Sequence, residues 1–186
     1  YPQTGQVKID ARLHNTRRAK HHGGQWDLGD QNSIRFTAFD VVIRPPAEAA
    51  QVRWQAEAEH PERSLEVGQL SIYQDSSGGE NWQSRNHVDA TGEVPCRFRG
   101  YQLEVPGRSE SGLRATPTVA LDGETGSLLV GVPEFWQQFP TSIEASTSQV
   151  RVGLFPRQWT GPFELQGGEQ KTLSLWLAAS SLTRTL

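Results

Sequence analysis

Apolar residues in this chain recur at every second position, and this alternation limits its fold more than any other feature of the sequence. Close to the amino terminus, Val7, Ile9, Ala11 and Leu13 alternate with polar residues. A period of two places one face of a β-strand in a core and the other in water. Helical periodicity is scarce, so we expect roughly ten short strands. The further runs lie at 34–43, 52–56, 70–72, 101–105, 119–132, 150–154 and 173–177.

Turn signals separate the expected strands. The 18 glycines and 11 prolines are spread along the chain and suit many tight turns. Short strands divided in this way favour an all-β fold, an antiparallel two-sheet β-sandwich, over a parallel sheet. The supersandwich of sugar-active enzymes is one form of that architecture. Asp122-Gly123 predicts a hairpin with a longer loop.

Three local features modify this pattern. The alternation slips by one residue between Ala38 and Phe39, which predicts a β-bulge within one strand. PEFWQQFP, at 133–140, and Ala47 to Ala50 are the two segments where we expect short helical turns. The apolar side chains of FWQQFP either fill the core or form an exposed patch for a neighbouring domain, and we favour the core.

Composition sets the broad class of the chain. Its 186 residues predict one domain over 1–186, and the formal net charge of -3 gives no electrostatic reason to expect a nucleic-acid partner. No long apolar run predicts a membrane span. The one cysteine, Cys96, cannot form an internal disulfide, and we expect a buried structural thiol. Because the chain starts at Tyr1 and contains no methionine, we expect an internal domain of a larger protein.

Two polar loops are the candidate functional segments: HNTRRAKHHGGQWDLGD at 14–30 and YQDSSGGENWQSRNH at 73–87. Each combines paired glycines, a tryptophan and carboxylates. An indole offers a flat apolar face to a sugar ring, while carboxylates and amides bond its hydroxyls. Arginine can also pair with the carboxylate of a uronate. The candidate sugar-binding residues are Trp26, Asp27, Asp30, Asp75, Glu80, Asn81, Trp82, Arg85 and His87.

Structural roles are the main alternative for these residues. Trp26 and Trp82 would then cap the ends of a sandwich core. Asp27, Asp30 and Asp75 would brace long loops by accepting hydrogen bonds from backbone N–H groups. For each tryptophan alone this alternative is the stronger one, whereas for two loops meeting in one cleft the two interpretations are balanced.

Metal binding is a weaker alternative. Asp75, Glu80 and Asn81 could offer oxygen ligands to calcium, but their spacing does not match an EF-hand. His21-His22 with Asp27 or Asp30 would suggest zinc, although adjacent histidines rarely face one ion. We expect no cofactor and no metal centre, and calcium is the one ion left open.

A catalytic role is the other alternative for the second loop. Tyr73, Arg85 and His87 are weak candidates for abstracting a proton from a sugar ring, with the arginine neutralising a neighbouring carboxylate. His14 is a further candidate base. Nothing in the sequence places these groups together, so the catalytic residues stay unassigned.

Four segments of the chain resemble a known family. The two loops, together with FWQQFP and ELQGGEQKT at 164–172, are similar to segments of the exo-rhamnogalacturonan lyase-like family. The resemblance is to its central β-sandwich domain and covers about residues 7–177. In that family the sandwich follows a barrel-like domain and precedes an α/α toroid, which usually carries most of the catalytic machinery.

The resemblance implies a β-sandwich inside an exported, secreted or periplasmic protein that degrades polysaccharides. Its partners would be carbohydrate, acidic and pectin-like, and the neighbouring domains of the same protein, with no nucleic acid and no membrane. Three hypotheses follow: an accessory domain that binds sugar or packs beside a toroid, a domain that itself supplies catalytic residues, or a purely structural module. We favour the first, in which the isolated domain is inactive.

Overall fold

The computed structural model describes residues 5–20, 29–85, 88–89, 91–124 and 126–181. The regular secondary structure in this part of the chain is almost entirely β-strand, as the alternation predicted. Its strands are β1 Gln6–His14, β2 Ile34–Phe36, β3 Phe39–Ile43, β4 Gln51–Gln55, β5 Arg63–Leu65, β6 Leu70–Gln74, β7 Tyr101–Val105, β8 Arg108–Gly112, β9 Thr118–Gly123, β10 Gly126–Gly131, β11 Thr141–Ser146, β12 Gln149–Phe155, β13 Phe163–Leu165 and β14 Gln170–Ser181.

Two antiparallel sheets of six strands form a sandwich, which confirms the predicted fold class. The first sheet has the order β1-β14-β10-β9-β4-β5, and the second has the order β3-β12-β11-β6-β7-β8. Strands β2 and β13 pair in a small third sheet. Many neighbouring strands are distant in sequence, so each sheet is built from both halves of the chain.

Cross-strand rows of apolar side chains explain why the two large sheets stack. Each row lies on one sheet face, because residues directly opposite each other in a β-ladder point the same way. The row in the second sheet consists of Val41, Val152, Ile143, Ile72 and Leu103. A row in the first sheet consists of Trp54, Val119, Val130 and Leu177. Burying these facing rows removes apolar surface from water and stabilises the sandwich.

The expected β-bulge at Ala38 and Phe39 was wrong. Ile34–Phe36 pairs with Phe163–Leu165 in the small sheet, whereas Phe39–Ile43 pairs with β12 in a large one. The slip in the alternation therefore marks the point where the chain leaves one sheet for another. A change of sheet and a bulge both shift the apolar phase by one residue, so the pattern alone cannot separate them.

The predicted hairpin at Asp122-Gly123 is confirmed, with a tighter connection than expected. Gly123 lies opposite Gly126 in the ladder between β9 and β10, so two positions separate the strands. Position 125 lies outside the described residues. Arg53 on β4 binds Asp122 with an Nε–Oδ2 distance of 2.8 Å, and this contact joins the hairpin to the next strand of the sheet.

The FWQQFP segment contributes to the core, as favoured. Phe135 is 1% exposed and belongs to the main hydrophobic cluster. The Gln138 N–H donates to the Glu134 carbonyl oxygen at 3.0 Å, which closes one turn. Removing a phenylalanine from such a site costs about 3–5 kcal/mol. The segment thus packs into its own domain.

Candidate functional site

Both candidate loops leave the same end of the sandwich, which we call the loop end. The first loop begins where β1 ends, at His14 opposite Gln170. The second begins where β6 ends, at Gln74 opposite Thr141. Strand β12 ends at this same side, and the Nζ atom of Lys171 lies 4.9 Å from the Phe155 ring centre. That contact joins the ends of the two sheets, so the roots of both loops share one rim.

Asn15 fastens the first loop to the frame. Its side chain is fully buried, and its Nδ2 donates to the carbonyl oxygens of Asn32 at 2.9 Å and Leu165 at 3.0 Å. Its Oδ1 accepts the N–H of Arg17 at 3.1 Å. A neutral amide suits this place because it both donates and accepts. One side chain therefore holds both ends of the loop against β13.

Asp75 fastens the second loop. Its side chain is also fully buried, and its Oδ2 accepts the N–H groups of Arg97 at 2.5 Å and Phe98 at 3.1 Å. Its Oδ1 accepts the Tyr73 hydroxyl at 2.8 Å and lies 3.5 Å from Arg97 Nε. Every partner is a donor, which suits a carboxylate. This one acid therefore joins the start of the connection from β6 to β7, residues 75–100, to the end of that connection.

The connection from β12 to β13, residues 156–162, lies between the two loops. Arg97, near the end of the connection from β6 to β7, donates from Nη2 to the Gln158 carbonyl oxygen at 2.9 Å. On the other side, Glu164 accepts the Gly29 N–H at 2.6 Å and the Ser33 hydroxyl at 2.7 Å. The rim is therefore continuous from the first loop, across this connection, to the second loop.

A shallow concavity in this middle part of the rim combines an indole with a guanidinium. The Trp159 ring stacks on Phe163, with centres 6.0 Å apart and planes at 15°, so one face of the indole is held by the frame. Arg157 is mostly exposed, and its Nη2 lies 2.9 Å from an oxygen of Asp40, whose side chain is 8% exposed. The lining residues are Thr37, Ala38, Arg157, Trp159, Gly161 and Pro162.

The far side of the rim carries a second indole and guanidinium. The Arg114 guanidinium carbon lies 4.3 Å from the Trp136 ring centre, a cation–π contact. Gly78 has a φ of 69°, and a Cβ there would collide with the Leu113 carbonyl oxygen. Glycine thus lets the second loop lie directly on the chain beneath it. Exposed arginines of this end are Arg85, Arg97, Arg99, Arg114 and Arg157.

The sequence candidates divide between surface and interior. Glu80, Asn81 and Arg85 are exposed and Trp82 is half-buried, whereas Asp75 is fully buried. Trp26, Asp27 and His87 lie outside the described residues.

Asp30 braces its own loop. It is half-buried, and its carboxylate accepts the N–H groups of Lys20 and Asn32, each at 2.8 Å. Asp75 likewise accepts two backbone N–H groups. The structural alternative expected backbone contacts of this kind for both acids.

Tyr73, one of the catalytic candidates, lies inside the protein. It is 5% exposed, and its hydroxyl donates to Asp75. Burial, together with the neighbouring carboxylate, raises the pKa of the phenol far above its usual value, which disfavours the phenolate that a general base requires. Arg85 is exposed, so its side chain faces water while the Tyr73 phenol is enclosed.

The metal-binding alternatives would need a cluster of ligand side chains, and the part of the chain that the structure covers contains none. Among those residues, no group of three or more His, Cys, Asp and Glu side chains could hold an ion. His21, His22 and Asp27 of the zinc alternative are not described. In the calcium alternative, Glu80 is exposed while the Asp75 carboxylate is occupied by donors of its own chain.

Sequence reasoning missed Trp159 and Arg157. The segment FPRQWTGPF, 155–163, holds an arginine, a tryptophan and a glycine between prolines, which is a composition typical of a rigid exposed turn. It is shorter than the two candidate loops and has one glycine where each of them has a glycine pair. The missed signal was an indole and a guanidinium two positions apart in a segment bounded by strands.

Comparison with known proteins gives no family for this chain: no family model and no curated protein matches it. No helix among the described residues is long and apolar enough to cross a membrane.

Proposed function

We propose that this chain is a non-catalytic, carbohydrate-binding β-sandwich domain, and that sugar binds at the loop end. The proposal depends on one observation: the Trp159 indole and the Arg157 guanidinium line one concavity between two polar loops. The frame holds both groups, through Phe163 on one side and Asp40 on the other. Rigid groups lose little entropy when a ligand binds, which favours affinity.

An indole and a guanidinium together suit an acidic sugar. The C–H face of a pyranose is apolar and packs on an aromatic ring, while its hydroxyls stay directed to polar groups. A uronate adds a carboxylate, which pairs with the planar fork of arginine. The exposed arginines along the rim supply positive charge in the same region. We therefore propose pectin-like, uronate-containing chains as the ligand class.

The parent protein belongs to the same proposal. The resemblance of the loop sequences to the exo-rhamnogalacturonan lyase-like family supports a role beside a catalytic toroid, in a secreted or periplasmic protein that degrades polysaccharides. In that arrangement the sandwich holds the substrate chain and the neighbouring domain carries out the reaction. No described residue of this chain is assigned a catalytic step.

Isothermal titration calorimetry of the 186-residue chain tests the proposal. The titrants are oligogalacturonides and neutral galactan oligosaccharides of equal length, and we expect the acidic series to bind more tightly. Trp159→Ala should weaken binding of both series about tenfold or more. Arg157→Gln should weaken the acidic series alone, because it removes the charge and keeps most of the side chain.

A matched control is available on the outer face of the first sheet. Leu175 points into the core, so its neighbour Trp176 points away from it, since successive strand residues alternate. Trp176→Ala removes an equally large indole and should leave the affinity unchanged. Absence of heat with either series, or equal losses in Trp159→Ala and Trp176→Ala, would contradict the proposal.

A further inference from the structure

Strand β1 is the longest sheet edge in the described part of the chain. It pairs with β14 on one side only, in a register that runs unbroken over nine residues. The other three edges of the large sheets are weaker templates. Strand β5 has three residues and β8 has five, while β3 pairs with β12 through a register shift. A long regular edge exposes hydrogen-bonding groups that another strand can use.

The main-chain groups of β1 alternate between β14 and the open edge. The Gly5 carbonyl oxygen accepts the Ala179 N–H at 3.3 Å, and the Asn15 N–H donates to the Glu169 oxygen at 3.0 Å. These two hydrogen bonds continue the antiparallel ladder between β1 and β14 at its two ends. In an antiparallel ladder every second residue bonds the neighbour. The odd-numbered residues of β1 therefore bond β14, and the even-numbered ones direct their N–H and C=O groups to the open edge.

The side chains along this edge alternate in charge. Lys8, Asp10 and Arg12 project from the outer sheet face in the order positive, negative, positive. Lys8 and Asp10 are 39% and 50% exposed and lie 2.9 Å apart. On the inner side, Val7 is 52% exposed, which leaves apolar surface uncovered at the edge. A strand laid along β1 would meet both features together.

We propose that two copies of this chain associate through antiparallel pairing of their β1 strands, with Lys8 of each copy opposite Asp10 of the other. Ile9 then lies opposite its own equivalent on the two-fold axis. Val7 lies opposite Ala11, and Gln6 lies opposite Arg12. Two symmetric charge pairs form, and the exposed Val7 is covered. The two six-stranded sheets become one continuous sheet across the pair.

The charge order selects this register. Only even-numbered residues of β1 can form hydrogen bonds across the new ladder. Every possible register therefore places even-numbered residues of one copy opposite even-numbered residues of the other. One alternative sets Asp10 opposite Asp10 and Lys8 opposite Arg12, which are like charges and destabilise the pairing. Another sets Asp10 opposite Arg12 but leaves Val7 beyond the paired residues. The proposed register avoids both defects.

Sedimentation equilibrium over a concentration series tests the association. The wild-type chain should reach twice the mass of one copy. Lys8→Glu and Asp10→Lys each place like charges opposite each other twice, and each should weaken the dimer about tenfold or more. The double variant restores opposite charges and should restore the dimer. Arg108→Glu makes the same charge change at an exposed position on β8, a strand that meets β5 at the opposite edge of the first sheet from β1, and should leave the dimer intact.

Oxidative cross-linking tests the register. Cys96 is buried, so an introduced thiol reacts selectively. Ile9→Cys should form a disulfide between copies, because directly opposite residues of this type lie about 4.5 Å apart, within the range a disulfide spans. Val7→Cys should not, since its equivalent lies about 13 Å away along the partner strand. The proposal would be overturned if the sedimentation mass equals that of one copy at a protein concentration of about 0.5 mM. It would also be overturned if Ala11→Cys is the one variant that forms a disulfide between copies.

Discussion

The two long loops of the rim are held by different kinds of buried side chain. Asn15 and Asp75 are both fully buried near the start of their loops. Asn15 binds Asn32 just beyond the first loop, and Asp75 binds Arg97 and Phe98 near the end of the connection from β6 to β7. The partners of Asn15 are mostly carbonyl oxygens, whereas those of Asp75 are all donors. The polarity of the facing backbone thus decides whether a neutral amide or a carboxylate can occupy the site.

This difference makes both isosteric exchanges unfavourable, for opposite reasons. An amide at position 75 would turn an N–H₂ group toward donors, and a carboxylate at position 15 would turn charge toward acceptors. Both loops nevertheless lead to the same rim, so damage at either anchor should loosen the concavity at Trp159. Substitutions at the two anchors therefore separate the effect of charge from that of shape.

Asp75→Ala should have the largest effect. It leaves the N–H groups of Arg97 and Phe98 and the Tyr73 hydroxyl without their buried acceptor, and each such loss costs about 1–3 kcal/mol. We expect a loss of about 4 kcal/mol in the free energy of unfolding, measured by urea denaturation. Asp75→Asn should lose nearly as much, because an amide cannot accept from all these donors. A loss below about 1 kcal/mol would contradict the role of Asp75 as the loop anchor.

Asn15→Asp should come next, with a dependence on pH. At neutral pH the introduced carboxylate faces the carbonyl oxygens of Asn32 and Leu165, and we expect a loss of about 3 kcal/mol. Protonation removes the charge and restores a donor, so the deficit relative to wild type should shrink as pH falls toward 4. The measurement is urea unfolding at pH 7 and at pH 4. Asp75→Asn carries no new titrating group and serves as the comparison.

Tyr73→Phe should have a smaller effect. It removes one hydrogen bond to Asp75 and keeps the ring, which packs edge-on against Phe98 with centres 5.8 Å apart. Hydrogen bonds to charged groups contribute about 1.5 kcal/mol or more, and we expect a loss of that size. Thermal unfolding measures it. Retained sugar affinity in this variant would also agree with a structural role for Tyr73, and loss of affinity without loss of stability would contradict it.

Alkaline pH should produce the smallest change, through Cys96 beside the second anchor. Burial, and then the Asp75 charge, raise the pKa of this thiol from 9.0 to about 11. Because the folded-state pKa is raised, the associated stability is complete below pH 9 and is lost as pH rises toward 11. The expected loss is about 1 kcal/mol at pH 10. Cys96→Ala should show a shallower decline than wild type between pH 9 and pH 11 in urea titrations, and an equal slope would contradict this cause.

Local alternation predicted the strands well because it follows directly from the geometry of a half-buried ladder. It could not predict which strands pair. Strand β1 pairs with β14, which lies near the other end of the sequence, and no local pattern encodes that contact. The change of sheet after Phe36 was misread as a bulge for the same reason. The phase of the alternation is local, whereas the choice of sheet depends on distant partners.

The candidate site was predicted only in part. The composition of the two loops identified the end of the molecule where polar and aromatic groups collect, but composition does not say which carboxylate points inward. Asp75 looked like a surface ligand, yet its place between two backbone N–H groups depends on Arg97 and Phe98, more than twenty residues away. The sequence does not distinguish Trp159 from the other tryptophans, because the rings that support it, Phe163 and Phe36, are brought together by a strand pairing that no local pattern encodes.

The most direct test of sugar binding at the rim is an NMR titration of the tryptophan indole N–H signals with an oligogalacturonide. We predict that the Trp159 signal, assigned by the loss of one resonance in Trp159→Phe, shifts progressively and saturates, while the Trp176 signal on the outer sheet face stays in place. A shift of Trp176 with Trp159 unchanged, or no shift of any indole signal at saturating sugar, would contradict the account.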